Sequence, residues 1–74
     1  MLLRIKPGMD RTVFSEVKKL KQVTQTETVY GEYDLLTKVT VETMDDLDSF
    51  IFDKVRTIAG IERTTTLIVI EPPG

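Results

Sequence analysis

Two strand–helix–strand patterns follow one another in this chain, and Val29-Tyr30-Gly31-Glu32-Tyr33-Asp34-Leu35-Leu36 joins them. Gly at the first central position of a two-residue loop is the signature of a type II′ hairpin turn. Gly31-Glu32 therefore predicts that the strands on either side pair with each other. Upstream, Leu2, Leu3 and Ile5 make a short strand that stops at the turn signal Pro7-Gly8. Asp10 is placed to cap a helix running to about Lys21, with Val13, Val17 and Leu20 as its buried stripe and Phe14 widening it. Val23 to Tyr30 follows, with Thr24, Thr26, Thr28 and Tyr30 on one face, a composition that suits an edge strand. Downstream, Tyr33, Leu35, Thr37, Val39 and Val41 share one face of the next strand, and Asp34, Leu36, Lys38 and Thr40 the other. Thr43 can cap a second helix, with Asp45 and Asp46 in the first turn where the helix dipole favours them. Leu47, Phe50, Ile51, Val55 and Ile58 line one side of it, Phe52 points away, and Gly60 stops it. The last strand is predicted over Ile61 to Ile70, with Glu71-Pro72-Pro73-Gly74 as a frayed tail.

The order βαββαβ is the ferredoxin-like, split βαβ arrangement of the α+β class, here a single domain over residues 1–74. Right-handed crossovers place the four antiparallel strands in the order 4-1-3-2, with both helices on one face. The hairpin turn, the end of the first strand and the start of the fourth then share one end of the sheet. Gly31 to Asp34, Lys6 and Thr64 are expected to converge there. A gap of about 10 Å, two strand spacings, separates strands three and four. A small zwitterion bridges part of such a gap, and a second chain completes it. Leu67-Ile68-Val69-Ile70 does not alternate, which suggests burial on both faces, yet two helices cover only one. A second subunit over the other face, and over the apolar edge, is the expected remedy.

Size points the same way. A chain of 74 residues buries only roughly 60% of its unfolded surface. Domains this small usually add disulfides, a metal or oligomerisation. The chain has neither Cys nor His, so disulfides and Cys/His zinc sites are excluded and a homo-oligomer is left. A charge at Arg4 interrupts any signal-peptide core, and no apolar run nears the ~20 residues of a membrane span. The reading is a cytoplasmic protein without membrane contact. Ten basic against twelve acidic residues give a net charge of −2, a poor balance for gripping nucleic acid. The densest basic run, Lys18-Lys19-Leu20-Lys21, reads better as a solvated helix end complementing the dipole than as a phosphate patch.

Enzymatic groups are scarce. There is no His base and no Cys nucleophile, and Ser15 and Ser49 sit mid-helix without an evident base. Asp45, Asp46 and Asp48 offer oxygen ligands of the kind Mg²⁺ or Ca²⁺ takes, but helix capping explains them better; no metal or cofactor is expected. Gly31 serves the turn, and also lets a ligand approach a backbone unshielded by a Cβ. Tyr30 and Tyr33 suit cross-strand packing as well as a ligand. Asp34 is either a solvated acid near a turn, dispensable to the fold, or a charge-assisted partner for an ammonium group. The hydroxyls of Thr64 and Thr66 share a strand face and suit a carboxylate or amide.

The pairing G-x-Y-D over Gly31-Glu32-Tyr33-Asp34, then G-I-x-x-T-x-T over Gly60-Ile61-Glu62-Arg63-Thr64-Thr65-Thr66, resembles the effector-binding (RAM) domain of Lrp/AsnC regulators over nearly the whole chain. The resemblance implies a stand-alone module without the usual helix-turn-helix. It implies a free amino acid as effector, bound by Gly31, Glu32, Tyr33 and Asp34 with Thr64 and Thr66 at or near the pocket. It implies dimers, four of which form a ring-like octamer, and co-assembly with full-length regulators. The reading is a non-enzymatic amino-acid sensor. The alternative is a structural oligomerisation partner with no ligand of its own; a small ferredoxin-like enzyme is disfavoured by the missing His and Cys.

Overall fold

Alternation in short β-rich segments and a 3.6-residue period in two longer ones produce the elements in the predicted order. The computed structural model describes residues 1–70; the tail expected over 71–74 lies outside them. The elements are β1 (Leu2–Ile5), α1 (Asp10–Lys18), β2 (Val23–Thr28), β3 (Leu35–Val39), α2 (Met44–Phe50), continued by a π-helical turn Ile51–Val55, and β4 (Ile61–Thr65). The antiparallel sheet has the order β2-β3-β1-β4, which is 4-1-3-2 read from the other edge. Leu3, Ile5 and Leu35 from the sheet, Val13 and Val17 from α1, and Phe50 and Val55 from the second helix form one core, so both helices lie on one face. Phe52 is exposed, as its position off the stripe requires. Thr43 caps α2, its Oγ1 accepting the Asp46 N–H at 3.0 Å.

Register assigns the two faces of the sheet. Leu3 pairs with Leu35 and Thr64 on the helix side, whereas Leu2 pairs with Leu36 and Thr65 on the open side. Arg4 and Arg63, Gln25 and Lys38, and Glu27 and Leu36 are the further open-side pairs. Among the described residues no layer covers that side.

Several boundaries differ from the sequence reading, three of them outside the loop between β2 and β3 and with a clear cause. Asp10 is the first residue of α1 and not its cap; Met9 holds the cap position without a side-chain bond, and its carbonyl accepts the Val13 N–H at 3.0 Å. The helix ends at Lys18 and not near Lys21, because a turn closed by Val23 N–H to Leu20 C=O at 3.1 Å redirects the chain into β2. The fourth strand ends at Thr65 and not at Ile70. Thr65 pairs with Leu2, the first residue of β1, so residues 66–70 run past the end of the only strand they could pair with. Leu67, Ile68, Val69 and Ile70 are consequently exposed, by 66%, 58%, 85% and 84%.

Candidate functional site

The connection between β2 and β3 is the best-anchored loop in the chain. Thr28 pairs with Leu35, and the Val29 N–H donates to the Asp34 carbonyl at 3.1 Å, so the register is centred on Gly31-Glu32 as predicted. Regular pairing nevertheless stops short of the expected two-residue turn, leaving a six-residue loop over 29–34. Gly31 has φ +130°, well past the about +60° of a type II′ turn. Three bonds tie the loop to β1. The Asp34 N–H donates to the Leu3 carbonyl at 2.9 Å, the Ile5 N–H donates to Asp34 Oδ2 at 2.9 Å, and Arg4 Nη1 donates to the Glu32 carbonyl at 2.8 Å. Asp34 is thus an acceptor for strand backbone, and the expectation that the fold can dispense with it is overturned. Nearby, the Lys6 N–H donates to the Gly60 carbonyl at 2.8 Å, which draws the start of β4 to the same end of the sheet.

The bend at Asp34 also turns Tyr33 over. Strict alternation puts Tyr33 with Leu35 on the helix side. Its hydroxyl instead meets Thr65 Oγ1 at 2.5 Å on the open side, and Arg63 stands 5.3 Å from its ring centre. Tyr33 therefore reaches across β1 and fills with protein the gap expected between strands three and four. Thr64 lies opposite Leu3 on the other side, and Thr66 lies beyond the last pair of β4. Within one chain, Glu32, Tyr33 and Asp34 come together with Arg4, Arg63 and Thr65, while Gly31 stays exposed in open space and Thr66 stays apart.

On the helix side of the loop lies a cavity of about 230 Å³ with an apolar floor of Ile5, Phe14 and Leu35 and two carboxylates, Asp10 and Asp34. Tyr30 stands at its edge. A wider groove of about 450 Å³ at the opposite end of the sheet is lined by Lys21, Glu42, Asp46, Asp53 and Lys54 around Phe50. It is larger but mixed in charge, and it touches none of the loop residues. Among the described residues no three acids gather to hold a metal, and no helix is long and apolar enough to cross a membrane.

The family model of the Lrp/AsnC ligand binding domain matches residues 1–73. The chain belongs to this family. Among curated proteins, this Lrp/AsnC domain is similar to the HTH-type transcriptional regulator FL11 of Pyrococcus abyssi, 30% identical over 96% of the chain and 46% of the relative. It is also similar to the regulatory protein AsnC of Escherichia coli, 31% identical over 84% of the chain and 41% of the relative. The chain therefore spans a little under half the length of these curated relatives. Among solved structures, FFRP-DM1 superposes with a TM-score of 0.88 at 39% identity over 93% of this chain and 92% of that one. The hypothetical protein PHS023 of Pyrococcus horikoshii gives 0.87 at 38% identity over 96% and 86%.

Tyr33 of the loop binds Thr65, which lies between the two threonines that the Lrp/AsnC resemblance names. A shared strand face and the resemblance together pointed to Thr64 and Thr66, one residue to either side of Thr65. Arg4 and Arg63 carried no motif signal, and their opposition emerges only once β1 and β4 are in register. Asp10 was readable as a helix start but not as a wall of the cavity.

Proposed function

We propose that this Lrp/AsnC domain is an oligomeric amino-acid sensor. The observation that carries the reading is the cavity beneath the loop. Asp34 gives one carboxylate oxygen to the Ile5 N–H, which leaves Oδ1 to accept a hydrogen bond from an ammonium group. Hydrogen bonds to charged groups are the stronger kind. Asp10 adds a second negative charge, and Ile5, Phe14 and Leu35 give an apolar floor for a side chain. The volume, about 230 Å³, lies below the ~300–1,000 Å³ of drug-sized pockets and suits a metabolite the size of an amino acid. In this reading Asp34 borders the ligand, whereas Gly31, Glu32, Tyr33, Thr64 and Thr66 lie outside the cavity lining and contribute only across a contact between subunits.

A thermal-shift screen of the twenty amino acids, followed by calorimetry, tests this. Wild type is expected to be stabilised by one or a few of them, and Asp34→Asn is expected to lose that effect while keeping an acceptor for the Ile5 N–H. Stabilisation by none at millimolar concentration removes the sensor reading. It then favours the second one, a structural oligomerisation partner, for which the exposed Leu67–Ile70 segment and the uncovered sheet face speak. Both readings place a dimer at the base of the assembly, with four dimers in a ring as the larger form. Co-assembly with full-length Lrp/AsnC regulators would compete with self-assembly. A ligand shifts that balance only by binding one assembly better than the other. Sequence-specific DNA binding by this chain alone is not expected; a discrete, competitor-resistant gel shift at physiological salt would show otherwise.

A further inference from the structure

The groove at the end of the sheet away from the loop holds charges of both signs that do not pair. Lys21 comes from the turn before β2, Glu42 from the connection after β3, and Asp46, Asp53 and Lys54 from the second helix and its π-helical turn. None of these five is in an ion pair; the one ion pair among the described residues is Lys19 with Glu16. The walls are nevertheless well fixed. The Thr40 N–H donates to the Gln22 carbonyl at 2.9 Å, which ties the two connections together. Thr43 Oγ1 accepts the Asp46 N–H at 3.0 Å, which sets the start of the helical wall. The Arg56 N–H donates to the Ile51 carbonyl, five residues back, at 3.0 Å, and this π-helical turn carries Asp53 and Lys54. Single π-helical turns occur mostly at functional sites. Phe50 of the core, only 2% exposed, gives an apolar floor. Because the second helix forms one wall, the groove lies on the helix side of the sheet, away from the face left for a second subunit. Its volume of about 450 Å³ falls within the ~300–1,000 Å³ of ligand pockets.

A simple cation satisfies the three carboxylates and meets the two lysines; a simple anion does the reverse. A ligand with one charge of each sign satisfies both sets through charge-assisted hydrogen bonds, the stronger kind. We propose that this groove binds a dipolar ligand longer than a single amino acid, a short peptide with free ammonium and carboxylate ends. Lys21 and Lys54 take the carboxylate, Asp46 and Asp53 take the ammonium group, and Phe50 lies beneath the chain between them. The length follows from the space, since the groove has about twice the volume of the cavity at Asp10 and Asp34, about 450 against about 230 Å³. The two lining sets share no residue, so the groove stands as a second site whether or not that cavity takes an amino acid.

Melting curves and calorimetry of the full chain test this with glycyl-leucine and alanyl-alanine, with the N-acetyl and C-terminal amide forms of each, and with free leucine. Wild type is expected to be stabilised by at least one dipeptide, and much less by either blocked form or by leucine. Lys54→Gln and Asp46→Asn are each expected to weaken the calorimetric affinity about tenfold or more, the loss of one charged hydrogen bond. Both side chains are exposed, so the unliganded variants are expected to melt as wild type does, which separates lost binding from lost folding. No shift of wild type with either dipeptide overturns the proposal. So does equal binding of the blocked forms, which removes the dipolar requirement, or equal binding of leucine, which removes the length. Loss of the dipeptide response in Asp34→Asn, with Lys54→Gln unaffected, places the ligand in the cavity beneath the loop and also overturns it.

Discussion

Replacing Asp34 by alanine removes the acceptor of the Ile5 N–H, a part-buried donor at the end of the inner strand β1. Leaving such a donor unpaired costs about 1–3 kcal/mol. In a domain of this size each kcal/mol moves the melting temperature by roughly 4–8 °C. Asp34→Ala is therefore expected to lower it clearly, and Asp34→Asn, whose amide oxygen can accept the same bond, to lower it much less. Equal melting of the two variants would show that the bond to Ile5 does not matter. Two hydroxyls give the opposite expectation. Thr26 and Thr37 are register partners, Thr37 is only 2% exposed, and neither Oγ1 has a hydrogen-bond partner. An unsatisfied buried polar group costs about 1–3 kcal/mol. The double variant Thr26→Val with Thr37→Val is expected to raise the denaturant midpoint. A fall would mean that the hydroxyls hold a bond, to each other or to water, that their placement does not display.

At the scale of elements, Gly60 sets how closely the second helix, α1 and β4 can meet. Its φ is +100°, and a Cβ there would stand 3.0 Å from Val13 Cγ2 and 3.1 Å from Met9 Cβ. Gly31 has φ +130° with nothing within 4 Å. Both positions carry a backbone penalty of about 1–2 kcal/mol for a side chain, but only Gly60 adds overpacking, typically about 1–3 kcal/mol. Thermal melting should rank wild type above Gly31→Ala and that above Gly60→Ala; the reverse order for the two variants would contradict this packing. The strand order and the core stripe were legible because periodicity determines them: Val13 and Val17, Phe50 and Val55, and Leu3 and Leu35 all lie where their spacing places them. The end of β4 was not legible, because Thr65 to Ile70 reads as strand throughout while its length is fixed by where β1 begins. The candidate site was legible as a place but not as a set of contacts. Counting alternate residues cannot register the bend at Asp34 that carries Tyr33 to Thr65.

At the scale of the molecule, the described residues leave one sheet face uncovered and carry Leu67–Ile70 in the open. An apolar edge of this kind associates unless paired or covered. Light scattering at micromolar concentration is expected to give a mass above the 8.4 kDa of a single chain, and Ile68→Asp to shift the distribution toward that value. A particle of one chain throughout the range, in wild type, would exclude the oligomer. The unpaired segment has another consequence, in time. A protease that cuts beside bulky aliphatic residues finds in a lone subunit four of them in a row, on backbone that no neighbouring strand protects. A subunit with that backbone covered withholds this site. Digestion by thermolysin should therefore slow as protein concentration rises, while Ile68→Asp should be cut at a rate that hardly depends on it. Survival in the digest then becomes a measure of how many copies have found partners.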